Sequence, residues 1–248
     1  MNDFFGILLS WQGLFYLLIL TVLEIVLGID NVIFISIVTD QLNESEKQRS
    51  RNIGLAIALI FRLLLLSMIS FIIHLVDPLF SIGNLNITGQ SLILIMGGLF
   101  LIYKSISEMH KSIIGEEEIN SKKKNKISAV IFQIVLIDVV FSFDSIISAV
   151  GMTNGLEKDL GSNPMAIIVI AIILSMIIMM LFAKQIGQFI HNYPTIKMIA
   201  LSFLVSIGIL LIAEGFGQEF PKGYIYFALI YALLVELLNI KMRKNNSK

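Results

Sequence analysis

Cysteine is absent from the 248 residues, which excludes disulfides and thiolate metal sites, and histidine occurs only three times. No Cys and His spacing of a zinc site and no glycine-rich phosphate loop is present. Net charge is also lacking: eighteen basic and eighteen acidic residues cancel, so a strongly basic nucleic-acid binder is excluded. The opening stretch, Met1 to Ser10, carries no basic residue and no small-residue cleavage signal, so the first apolar segment reads as a retained span rather than a removable leader.

Apolar residues are abundant. They make up 56% of the chain, with a mean hydropathy of +0.88, against about 45–50% in soluble domains. A bilayer core of about 30 Å needs about 20 such residues per helix. Seven stretches qualify: Trp11 to Val38, Ile53 to Val76, Gly89 to Ser107, Ile127 to Gly151, Pro164 to Phe189, Met198 to Ala213 and Tyr224 to Ile240. The expected class is therefore an all-α integral membrane protein of seven transmembrane helices.

Basic residues divide these spans by side. Lys47, Arg49 and Arg51 follow the first span; Lys104, Lys111, Lys122, Lys123, Lys124 and Lys126 surround the third connection; Lys184 and Lys197 follow the fifth span; Lys241, Arg243, Lys244 and Lys248 close the tail. Those fifteen face Lys158 and Lys222 on the other side. The positive-inside rule places the N-terminus outside and the C-terminus in the cytoplasm of a cell, plasma or inner, membrane.

Two spans carry one polar pattern. Glu24 to Asn31 reads E-I-V-L-G-I-D-N and Asp138 to Ser145 reads D-V-V-F-S-F-D-S. Acids stand at Glu24 and Asp138, small residues at Gly28 and Ser142, aspartates at Asp30 and Asp144, and oxygen-bearing neighbours at Asn31 and Ser145. With three spans per half, the two segments cross the membrane in opposite directions. A single transmembrane domain over 1–248 is expected: repeat one at 11–107, a cytoplasmic connector at 108–126, an inverted repeat two at 127–213 and an appended seventh helix at 224–240. Inverted repeats with midplane sites are a recurrent transporter architecture. At 1.5 Å per residue Glu24 and Asp138 lie roughly 17–20 Å from opposite faces, near the bilayer centre.

An ionisable residue at that depth costs roughly 2.5–3.5 kcal/mol on insertion scales, so four acids need a compensating role. Carboxylate, amide and hydroxyl oxygens without thiolate or imidazole suit magnesium, calcium or manganese. Glu24, Asp30, Asn31, Asp138, Ser142, Asp144 and Ser145 are the candidate metal ligands. On a straight helix Glu24, Gly28 and Asn31 share a face while Asp30 is rotated away by about 120°. Both acids of a segment reach one site only if the helix loosens at Gly28 or Ser142; otherwise they serve successive sites. Arg62, near the centre of the second span, calls for a carboxylate partner and compensates charge when the cation is absent; a fixed structural salt bridge is the alternative. Glu214 and Glu236 are read as interfacial, His74 and Asp77 as solvated at the outer mouth, and Glu116, Glu117 and Glu118 as a solvated connector. The methionines, among them Met176, Met179 and Met180, are read as apolar filling.

At these residues the chain resembles the TerC family of integral membrane proteins, placed near the lysine-exporter superfamily. Leu23 to Phe34, Gly97 to Lys104, Asp138 to Ser145, Ala149 to Met152, Pro194 to Met198 and A-E-G-F-G...P-K-G-Y-I-Y-F-A resemble its short, single-domain branch. The resemblance implies seven spans and export of manganese, or its supply to secreted proteins, with the metal role falling on Glu24, Asp30, Asn31, Asp138, Asp144 and Ser145. The expected function is divalent-cation export, Mn2+ first, with Ca2+ or Mg2+ as the other ions that the donor set admits. No tightly bound cofactor is expected. The partners are the ion and the lipid bilayer, not nucleic acid. A membrane scaffold that delivers metal to secreted proteins is the alternative, with a secretion-pathway protein or a second copy of the chain as partner. An enzyme is not expected, because Ser142 and Ser145 have no histidine nearby in sequence to activate them.

Overall fold

The computed structural model describes residues 10–68, 78–82, 85–114, 126–160, 165–218 and 220–246. The side chains of residues 44, 81, 82, 85, 144, 147, 148, 150–160 and 246 lie outside that description. The elements are α1 (Trp11–Leu27), α2 (Ile29–Thr39), α3 (Glu44–Ser67), β1 (Pro78–Ile82), β2 (Leu85–Thr88), α4 (Gly89–Ile114), α5 (Ile127–Leu160), α6 (Met165–Asn192), α7 (Pro194–Gly215) and α8 (Gly223–Asn246). Residues 74 and 77, the three glutamates at 116–118 and residue 164 lie outside the described residues.

Among the described residues five helices are long and apolar enough to cross a membrane, six if α1 and α2 count as one bent span, and α5 adds an apolar section over Ile127–Phe143. Several helices outrun their apolar cores. α3 begins before the expected Ile53, at the extended Asn43 (φ −63°, ψ 147°), whose Nδ2 donates to Glu46 Oε2 at 2.8 Å while its carbonyl accepts from the Glu46 and Lys47 amides at 2.8 and 3.0 Å. α4 continues past Ser107 to Ile114, where Lys104 and Lys111 flank Glu108 at 3.3 and 3.0 Å, and α8 continues through Lys241 to Lys244. Helical hydrogen bonding continues wherever nothing stops it; apolarity marks only the part in lipid.

Contacts divide the chain into two compact units, the first over residues 1–74 and 125–186, the second over 75–124 and 187–248. In the first, α1, α2, α3 and α5 pack together with the body of α6. Trp11, Leu14, Phe15, Leu18, Val22 and Val26 form an exposed stripe on α1, while Gly13, Leu20 and Glu24 are buried opposite it. Leu20, Leu66, Ile146, Ala149, Ile167, Ile168, Ala171 and Ile172 form an apolar core. Leu20 precedes Glu24 by one turn, whereas Leu66 follows Arg62 and Ile146 follows Asp138, so α1 runs antiparallel to α3 and α5.

The second unit is built on α4 against α7. A Cβ at Gly98 would lie 2.5 Å from Gly208 O, and one at Gly208 would lie 2.9 Å from Gly98 O; Gly215 is equally close to Ser91 O, 2.9 Å from its Cβ position. The pairing of 98 with 208 and 91 with 215 makes the helices antiparallel, and only glycine permits such backbone approach. α8 leans on α7 through Phe203 and Tyr226, whose ring centroids are 5.9 Å apart. The antiparallel hairpin β1–β2, in which Ser81 pairs with Asn86 and Ile82 with Leu85, was not among the sequence expectations.

Candidate functional site

Gly28 ends α1 and begins α2, and the two helices meet at 40°. The break falls on one of the two positions expected to loosen. At the other the outcome differs: α5 is helical straight through Ser142. Its hydroxyl donates back to the Asp138 carbonyl one turn earlier, so it supports the helix instead of opening it. The kink matters to burial. Asp30 and Asn31 are both 2% exposed, although a straight helix would send them to different faces. Every residue of α2 from Asp30 to Thr39 is buried.

Beside the break, α3 delivers Arg62 to two carboxylates. Its Nη1 donates to Glu24 Oε2 at 2.9 Å, while Nε and Nη2 form a fork on Asp138, at 3.0 Å to Oδ2 and 2.7 Å to Oδ1. All three side chains are at most 3% exposed. Asn31 Nδ2 donates to Asp138 Oδ1 at 3.2 Å and Ser142 Oγ to Asp138 Oδ2 at 3.2 Å. Ser145 Oγ donates to Ser142 O at 3.3 Å. Asp30, also 2% exposed, precedes Asn31 in the first turn of α2. Glu24, Asn31, Arg62, Asp138, Ser142 and Ser145 thus form one cluster; the side chain of Asp144 lies outside the described residues.

The cluster is incompletely satisfied. Glu24 Oε1 and Asn31 Oδ1 are buried oxygens without a hydrogen-bond partner among the described residues. Leaving such groups dry and unpaired costs about 1–3 kcal/mol each, more for a charged group. One belongs to a carboxylate that Arg62 holds and the other to the amide that donates to Asp138, and both are of the oxygen type a hard cation takes. Among the described residues, however, no three His, Cys, Asp or Glu side chains converge as a ready metal cage. Arg62 occupies the space between the acids.

Other polar groups were not singled out as sites from the sequence. Glu108, 2% exposed between two lysines, was signalled only by its i−4 and i+3 spacing. Glu236, read as interfacial, is 7% exposed; it accepts from Thr195 Oγ1 at 2.6 Å and from Asn239 Nδ2 at 3.2 Å. Glu214 pairs with Lys222 at 3.4 Å. Arg51, 6% exposed, donates to Thr39 Oγ1 at 3.4 Å, and Lys47 binds Asp40 at 2.6 Å; no local pattern announced the first of these.

The family model described as the integral membrane protein TerC family matches residues 9–248. A UPF0053 protein of Haemophilus influenzae is 46% identical over 230 residues, covering 92% of this chain and 93% of its own. The UPF0053 inner membrane protein YgdQ of Escherichia coli is 44% identical over 227 residues, covering 92% of each. YoaE, an inner membrane protein of the same organism, is 40% identical over 237 residues, which cover 95% of this chain and 43% of YoaE. No solved structure matches. With long apolar helices and a family model that matches nearly the whole of its length, the chain belongs to the TerC family of integral membrane proteins.

Proposed function

We propose that this protein exports a divalent cation, Mn2+, across the inner membrane through the buried acidic cluster of α1, α2 and α5. The observation that carries the reading is charge balance among buried groups. Glu24 and Asp138 set two carboxylates against one guanidinium, all at most 3% exposed, so the cluster holds an excess of negative charge that a bound cation cancels. Arg62 serves as the resident counter-ion that stabilises the acids between transport events, and Glu24 Oε1 and Asn31 Oδ1 are the oxygens open to the ion.

Architecture supports the same reading. α1 and α5, which carry the two polar motifs, run antiparallel, as an inverted repeat requires. α4 and α7, third in each half, also cross antiparallel. They carry related runs, Gly98-Leu-Phe-Leu-Ile and Gly208-Ile-Leu-Leu-Ile, whose glycines face each other. A midplane site, a seven-span count and a cytoplasmic C-terminus complete the proposal, and the inner-membrane location follows the relatives' names.

The test is flux of Mn2+, Ca2+ and Mg2+ into liposomes holding the purified protein, with and without a pH gradient, beside Asp30→Asn. Mn2+ flux that falls to the level of empty liposomes in the variant, from protein that still melts cooperatively, is the expected outcome. Undiminished flux in Asp30→Asn sinks the assignment of the site. No flux of any ion from folded wild-type protein sinks transport itself and favours the scaffold.

A further inference from the structure

The break at Gly28 places a soft donor beside the hard ones. In a continuous helix the Gly28 amide would hold Glu24 O; here it donates to Ile25 O at 3.1 Å and to Val26 O. The Glu24 carbonyl thereby loses its usual partner in the ladder. A Cβ at Gly28 would meet Met179 Sδ at 2.5 Å, Glu24 O at 2.9 Å and Met179 Cε at 3.3 Å. The thioether of α6 and the Glu24 carbonyl therefore border the same point. Glu24 also supplies the unpartnered Oε1, on a side chain that is 2% exposed. Met179 is 4% exposed and belongs to the same unit. No three acidic or imidazole side chains converge among the described residues, so the Glu24 carbonyl and the Met179 thioether are the donors that the break at Gly28 adds beside Glu24.

We infer that Met179 Sδ is a ligand of the transported cation, alongside Glu24, and that it makes the site selective for divalent transition-metal ions over Ca2+ and Mg2+. This deepens the cation-export reading and rests on it. Ca2+ and Mg2+ are hard ions that require oxygen shells, so exchanging one oxygen for a thioether penalises them more than it penalises a first-row transition-metal ion such as Mn2+, whose remaining donors stay oxygen. Selectivity then arises from penalising the competitor as much as from attracting the cargo. The bland role of Met179, apolar filling on the kink, is met equally well by leucine, which is close to methionine in volume.

The chain offers a clean test, since without cysteine any sulfur next to a bound metal belongs to methionine. Cd2+ bound to the purified full chain in detergent is measured by X-ray absorption at the cadmium edge. A sulfur scatterer in the wild type that disappears in Met179→Leu is expected, together with an approximately tenfold fall in Mn2+-over-Ca2+ preference in liposome flux, equivalent to about 1.4 kcal/mol. An all-oxygen shell in the wild type overturns the inference. So does a Met179→Leu variant that keeps the sulfur scatterer or the preference. Wild-type protein that binds no Cd2+ and moves no ion removes the cation reading as well, which separates the two failures.

Discussion

Arg62 is where the charge balance of the buried cluster turns. A guanidinium that is 3% exposed is tolerable only because its donors meet two carboxylates with good geometry. Arg62→Met should leave Glu24 and Asp138 as buried charges without a counter-ion and lower stability by about 3–5 kcal/mol, seen as a fall in melting temperature in detergent. Arg62→Lys keeps the charge but loses the fork on Asp138, so it should melt between the two. If Arg62 stands in for the cargo, Mn2+ should restore part of the loss in Arg62→Met: an ion at 100 times its dissociation constant adds about 2.7 kcal/mol. An Arg62→Met protein that melts like the wild type contradicts the pairing, and one that Mn2+ never stabilises makes Arg62 a fixed structural bridge. At this scale much was legible: a central arginine among four acids calls for carboxylate partners on physical grounds alone. Sequence could not say that Arg62 takes Glu24 and Asp138 together, nor that Met179 sits on Gly28, because both depend on how helices from distant parts of the chain are rotated.

At the scale of the element, close approach separates glycines that pack against backbone from those that pack against side chains. A Cβ at Gly98 would lie 2.5 Å from Gly208 O, a backbone atom in a paired helix that has little room to yield. One at Gly54 would meet Ile134 Cδ1 at 2.8 Å, the far end of a side chain. Gly98→Ala should therefore cost about 1–3 kcal/mol by overpacking, whereas Gly54→Ala should cost less and be relieved in part by Ile134→Val, which removes the Cδ1 methyl and leaves Cγ2 at 3.0 Å. Thermal unfolding of the detergent-solubilised variants reads both, and equal costs at the two positions would refute the distinction. Helix identity was legible from hydrophobic runs, and the Gly28 kink from glycine between two acids. Helix ends were less so, because Glu44 to Asn52 and Glu108 to Ile114 are polar yet stay helical. The β1–β2 hairpin is only faintly legible: Gly-Asn at 83–84 divides two short apolar runs, a turn signature that lies between two much longer apolar stretches.

For the whole molecule the open step is how many times the chain crosses the bilayer, and α5 decides it. Its apolar section, Ile127–Phe143, extends about 26 Å at 1.5 Å per residue, slightly under a bilayer core of about 30 Å. Asp138 lies within that section, so α5 can span only if its carboxylate is neutralised, which Arg62 accomplishes at 2.7 Å. Folding of the ion pair and insertion of α5 are thus linked, and three crossings should separate Lys126 from Lys222. The absence of cysteine makes this measurable with Lys126→Cys, Lys222→Cys and Lys244→Cys, each a lone reactive thiol. A membrane-impermeant maleimide should label Lys222→Cys in intact cells and reach Lys126→Cys and Lys244→Cys only after the membrane is opened. Labelling of Lys126→Cys and Lys222→Cys from the same side would mean an even number of crossings between them. In that arrangement one of α5, α6 and α7 would fail to cross, and the inverted repeat of three spans on three would have to be abandoned even if the cluster around Arg62 stood.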